Sequence, residues 1–221
     1  MNDDRKPFRV KDCALVALAT GRRARTLQEF HSVLRDVEAS SVYHHFWGAL
    51  LQPRFEEREY NNDFAAWVRH GVHDPVLAER LAALHPGRFT SMEELRDEMV
   101  ELIDDRVDED DALLWVRATL QFEFLRSQIV VFDTGMRLST PADLADAVPR
   151  MSTSSVFYHF VDARRRTETG HDDFTDWITA CDDGLEEVCR RLNGVDPYYG
   201  NLVELRTGLV EALEPLRHAE V

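Results

Sequence analysis

The chain has 221 residues, 44% of them hydrophobic, and a formal net charge of −15. That charge repels phosphate backbones and anionic lipid headgroups, so neither a nucleic acid nor a membrane surface is expected as a partner. The start "MNDDRKPF" lacks the apolar core of a signal peptide. The longest apolar run, "CALVALA", is far short of a bilayer span, and Cys13, Cys181 and Cys189 form no CxxC pair. A soluble, cytoplasmic protein with reduced thiols is expected. Only Lys6 and Lys11 are lysines; every other basic side chain is arginine.

In chain order, the first apolar segment runs from Cys13 to Thr20 and ends at Thr20-Gly21. It fits a short strand, or a helix closed by the glycine. "TLQE" at 26–29 is a capping box, after which Leu27, Phe30, Val33, Leu34 and Val37 recur at helical spacing. "SSVYHHF" at 40–46 forms a second helix, and "NDFAAWV" at 62–68 opens a third. "DPVLAERLAAL", with Pro75 in its first turn, is a fourth, and "SMEELRDEMVELI", with Ser91 and Glu94 as a box, is a fifth. The stretch "DDRVDEDDALLWVRATL" has an acidic front and an apolar back and predicts a connecting helix over 108–121. "IVVFDTG" then reads as a strand, and "TPAD" at 140–143 starts the next helix with Pro141 in its first position.

Much of the second half repeats the first. At an offset of 114, "SSVYHHF" lies over "SSVFYHF", Phe8 over Phe122, and Thr20-Gly21 over Thr134-Gly135. At an offset of 110, "NDFAAWV" lies over "DDFTDWI", and Glu94 to Arg96 over Glu204 to Arg206. The expectation is a mainly α protein with minor β: a first module over 1–107, the connecting helix over 108–121, and a second module over 122–221. Each module would carry a short strand or hairpin, and the two would pack as a pseudo-twofold body. Trp47 and Trp115 lack counterparts in the repeat and are expected at the seam between modules.

The order Thr-Gly, helix, "SSVYHHF", "NDFAAWV" resembles a family of uncharacterised bacterial and archaeal domains with Tyr-His-x-Phe and Asp-Phe-x-x-Trp signatures. "FDTGMRL" and "FYHFVDARRR … DDFTDW" carry the same likeness in the second module. The resemblance covers nearly the whole chain and implies no established activity; it adds only a carbohydrate-related setting.

On a helix, His45 shares a face with Val42, Phe46 and Ala49, and His159 one with Val156 and Phe160. As a core residue, each ring needs a partner such as a backbone carbonyl, Asp63 or Asp173. As a site, Ser41, His45 and Asp63 contain the groups of a hydroxyl–imidazole–carboxylate relay, and His44 with His45 contains imidazole metal ligands. Adjacent helical positions point about 100° apart, which opposes a shared metal. No phosphate loop, dinucleotide fingerprint or HExxH is present, so no cofactor and no metal are expected. The tryptophans Trp67 and Trp177 fit core packing, or a platform for a sugar ring or a partner helix.

"DARRRTETGHDDF" at 162–174 is the most site-like stretch, because Arg164, Arg165 and Arg166 stand together in an acidic chain. They either pair with Asp172, Asp173 and the acidic connector or bind an anionic ligand. His159 and Asp162, three residues apart, could orient one another. The reading is a non-catalytic binding or accessory protein that recognises a protein partner or an anionic small molecule through the second module. The alternative is a small hydrolase-like or metal-assisted enzyme, carbohydrate-related, using His159, Asp162 and Asp173, or His45 and Asp63.

Overall fold

The structure is a computed structural model that describes residues 6–51, 59–181, 184–198 and 200–218. The fold is mainly α with one two-stranded antiparallel sheet. Strand β1 (Phe8–Thr26) leads into helices α1 (Leu27–Asp36), α2 (Ala39–Trp47), α3 (Asp63–Trp67), α4 (Pro75–Ala82) and α5 (Met92–Glu109). Strand β2 (Arg117–Leu138) leads into α6 (Pro141–Ala147), α7 (Thr153–Val156), α8 (Asp173–Cys181), α9 (Glu186–Asn193), α10 (Leu202–Leu213) and α11 (Pro215–His218). Among the described residues, no helix is long and apolar enough to cross a membrane.

Three expectations are corrected. The strands are long, because the Thr-Gly pairs kink them rather than end them. Gly21 and Gly135 take φ of 76° and 81°, which favours glycine. Thr20 Oγ1 accepts the Arg22 N–H and donates across the ribbon to the Phe124 carbonyl at 2.6 Å; Thr134 does the same with Met136 and Val10. The connecting helix over 108–121 does not form. Carboxylates at 108–110 oppose the dipole at the end of α5, Asp110 caps a short 3₁₀ turn (Asp111–Trp115), and β2 begins at Arg117. From there Phe122 and Phe124 are buried around an exposed Glu123, the two-residue period of a strand with one covered face. Finally, Trp47 is buried as expected, but Trp115 is 68% exposed.

Compactness divides the chain inside both strands, into Leu15–Gln128 (the middle unit) and Met1–Ala14 with Ile129–Val221 (the split unit), rather than at 107 and 121. The core of the middle unit is aromatic: Phe30 stacks on Trp67 at 4.9 Å, and Phe64 lies on Phe122 at 5.5 Å. Leu77, Leu81, Leu95, Met99 and Ile103 complete it from α4 and α5. In the split unit, Phe8 and Val10 of β1 are buried, as are Phe157, Phe160, Phe174, Ile178 and Leu209. Helix starts follow local chemistry. Thr26, Asn62, Asp74 and Ser91 each accept a backbone N–H at an N-terminus. Thr140 with Asp143 closes a full capping box, whereas Glu29 and Glu94 reach back one residue further, to the backbone of Arg25 and Thr90.

Candidate functional site

The repeated histidine clasps a helix to a strand in each unit. In the middle unit, His45 Nε2 accepts the Leu125 N–H at 3.1 Å and Nδ1 meets Asp63 at 3.0 Å. In the split unit, His159 Nε2 accepts the Lys11 N–H at 2.9 Å and Nδ1 meets Asp173 at 2.7 Å. A backbone N–H only donates, so Nε2 carries the lone pair and Nδ1 carries the proton that it gives to the carboxylate. Both rings are buried with both nitrogens engaged. Among the described residues, Ser41 Oγ is buried without a hydrogen-bond partner and makes no relay with His45, while Ser155 Oγ donates to the Lys11 carbonyl. His44 turns to Ser127 at 2.8 Å, its ring at 87° to that of His45. Among the described residues, no group of three His, Cys, Asp or Glu could hold a metal ion.

The three arginines separate in role. Asp162, fully buried, receives Arg165 Nε at 2.6 Å and Arg166 Nε at 2.8 Å, while both ring nitrogens of His159 are taken by Lys11 and Asp173. Arg166 Nη2 also donates to Asp173 at 3.0 Å and to the Tyr158 carbonyl, and its guanidinium lies 4.0 Å over the Tyr158 ring. Arg164 lies over Phe160 at 4.7 Å, and its buried Nε and Nη2 have no hydrogen-bond partner among the described residues. Burial pulls its guanidinium below the ordinary range, against Asp172 and Asp196. The first-module stretch opposite the triple arginine falls mainly on 52–58, outside the described residues.

An open cleft of about 410 Å³ lies in the split unit. Phe8, Trp177 and Tyr158 form its aromatic walls, with Arg9, Lys11 and Arg166 as cations and Asp173 and Asp176 as acids, and His159 lies among them. Asp173 is compensated. Burial pushes Asp173 up, but the bonds from His159 and Arg166 outweigh it and hold the carboxyl below its ordinary value. Asp176 receives Thr169 Oγ1 at 2.9 Å and lies 3.3 Å from His171. Arg9 and Lys11 side chains, by contrast, make no hydrogen bond or ion pair among the described residues; Lys11 Nζ lies 5.9 Å over Tyr158. The surplus charge facing the cleft is positive.

Of the sequence-predicted residues, His159, Asp173 and Arg166 come together at this cleft, and His45 meets Asp63 in the other unit. Arg9, Lys11, Tyr158 and Asp176 were missed. Aligning the repeat exposes them, because the partners of Arg9, Lys11 and Tyr158 at an offset of 114 are Glu123, Leu125 and His44, and that of Asp176 at an offset of 110 is Ala66, an acid or a neutral side chain at each place. Such divergence at matched positions is a signal that the identities conceal.

Behind the cleft, Cys13 Sγ donates to the Ser154 carbonyl at 3.3 Å. Burial, then Asp12 and Asp162, push its thiol up to about 12, against Arg166. Because the thiolate is the nucleophile, Cys13 is expected to resist iodoacetamide in the folded protein at mildly alkaline pH while half-buried Cys189 reacts. Peptide mapping by mass spectrometry checks this, and rapid native alkylation of Cys13 would contradict it.

A family model described as "Family of unknown function (DUF5752)" matches residues 5–214. Among solved structures, that of OrfY from Thermoproteus tenax is similar, with a TM-score of 0.82 and 29% sequence identity, over 98% of this chain and 99% of that chain. No curated protein matches the chain.

Proposed function

Since the chain belongs to DUF5752, a family of unknown function, membership supplies no chemistry, and we propose that this protein is a binding protein that takes a small anionic molecule in the cleft of the split unit. The observation that carries this reading is the pair of cations Arg9 and Lys11, whose side chains make no hydrogen bond or ion pair among the described residues, beside the Tyr158 and Trp177 rings in a chain of net charge −15. A carboxylate or phosphate would complete them, and the aromatic walls would cover an apolar or flat part of the ligand. In this reading the protein arose by duplication of one module, and the binding cleft joins Phe8, Arg9 and Lys11 of the first copy to side chains of the second. The matched hydrogen bonds of His45 and His159, and of Trp67 and Trp177 to the carbonyls of Leu120 and Lys6, support a shared ancestor.

The enzymatic alternative has one observation in its favour: His159 and Asp173 both line the cleft. Against it, the lone pair of His159 is held by a backbone N–H, so the ring has no free base or ligand atom. The test is thermal unfolding with inorganic phosphate, mono- and dicarboxylates and aromatic carboxylates. A ligand at a hundredfold over its Kd stabilises the folded state by about 3 kcal/mol. At least one of these anions is expected to raise Tm, and the double variant Arg9→Glu, Lys11→Glu is expected to lose that rise. If no anion shifts Tm, or if the shift survives the double variant, the reading fails.

A further inference from the structure

The free edge of β2 in the split unit is built to be covered. Every residue from 130 to 137 is exposed, and Val130, Val131, Phe132 and Met136 remain 49%, 41%, 49% and 42% exposed. Successive strand residues point to opposite faces, so this segment shows apolar side chains to water on both. A continuous apolar run such as "IVVF" is the pattern of a strand covered on both faces. Opposite it, β1 buries Phe8, Val10 and Cys13. The sheet has two strands, so the outer edge of β2 has no strand partner among the described residues, and its backbone groups stand as a template. Of the matched residues in the middle unit, Val16 is the same as Val130 and is also exposed, whereas Ala17, Leu18 and Arg22, in place of Val131, Phe132 and Met136, are smaller or charged.

We propose that this edge pairs with the same edge of a second copy of the chain, making a four-stranded antiparallel sheet across a twofold axis. Two features select a second copy. An antiparallel twin centred on Val131 sets Val130 opposite the second copy's Phe132 on one face, and Val131 opposite its own equivalent on the other, so both faces gain apolar cross-strand pairs. The charge on the edge is already neutralised: Arg137 holds Asp133 through two bonds, Nη1 to Oδ1 at 2.8 Å and Nη2 to Oδ2 at 2.7 Å. A protein of net charge −15 repels its copies over most of its surface, and at this neutral strip two copies meet without opposing like charges. The Gly135 kink closes one end of the strip.

Sedimentation velocity from micromolar to near-millimolar protein tests this. The wild type is expected to shift from monomer to dimer with rising concentration. Val131→Lys and Phe132→Lys, both at exposed positions, are expected to stay monomeric with unchanged circular dichroism. Val76→Lys, on an exposed apolar residue of α4, is expected to dimerise as the wild type does. A wild type that is monomeric throughout overturns the proposal, as does a dimer that survives both edge variants or one that Val76→Lys abolishes.

Discussion

Replacing His45 or His159 by alanine is expected to lower the unfolding free energy by about 2–4 kcal/mol at each site. The loss has two sources. The backbone N–H of Leu125 or Lys11 loses its acceptor, and a buried donor without a partner costs about 1–3 kcal/mol. The ring also leaves a void: His45 packs against Phe64 at 5.0 Å and Phe122 at 4.8 Å, and His159 against Phe8 at 4.8 Å and Phe174 at 5.6 Å. Asparagine restores the donor to Asp63 or Asp173 but not the acceptor for the strand, so His→Asn should fall between wild type and alanine. The two rings share no hydrogen-bond partner, and the double variant should cost roughly the sum. Urea unfolding measures all of these, and an alanine variant as stable as the wild type would remove the clasp as an element of the fold.

Acidification provides the second large effect, through His44. This ring is 4% exposed, lies against Gly48 so closely that a Cβ there would sit 2.9 Å from Nδ1, and bonds Ser127. Burial, then neighbouring His45, push its imidazole down to about 4, against a lesser upward pull from Asp63. In the unfolded chain it takes its proton near pH 6.5. Between these values the unfolded state binds more protons than the folded one, so stability rises with pH. The contribution is complete above about pH 6.5 and is lost as pH falls toward 4, a total of about 3 kcal/mol. His44→Asn keeps a polar atom for Ser127 without titrating. Urea unfolding at pH 7 and at pH 4 should show the wild type losing about 3 kcal/mol more than this variant across the window. Equal losses in the two proteins would show that His44 does not set the slope.

How much of this was legible in the residues varies by element. Helix starts were, because a cap is a local device: Thr26, Ser91 and Thr140 each act within four residues of chain. The pairing of His45 with Asp63 and of His159 with Asp173 was among the expectations, because the repeat kept both partners. The cleft was not. Arg9 and Lys11 lie about 150 residues from Tyr158 and His159 in sequence, and no local pattern reports which strand crosses which helix.

The residues alone therefore established the mainly α class, the five helices of the first half and the matched signatures, all set by period, caps and identities along the chain. They misjudged what long-range pairing controls. Thr-Gly reads locally as a terminus, but the bond from Thr20 to the Phe124 carbonyl carries the strand through it. An acidic and leucine-rich stretch reads as a helix, but burial of Phe122 and Phe124 makes its end a strand. Three arginines read as a binding cluster, and the buried carboxylate of Asp162 holds two of them, Arg165 and Arg166. For both strands a partner distant in sequence won, because a buried polar or aromatic group is worth more than the local preference it overrides, whereas Asp162 reaches its arginines from only three and four residues away.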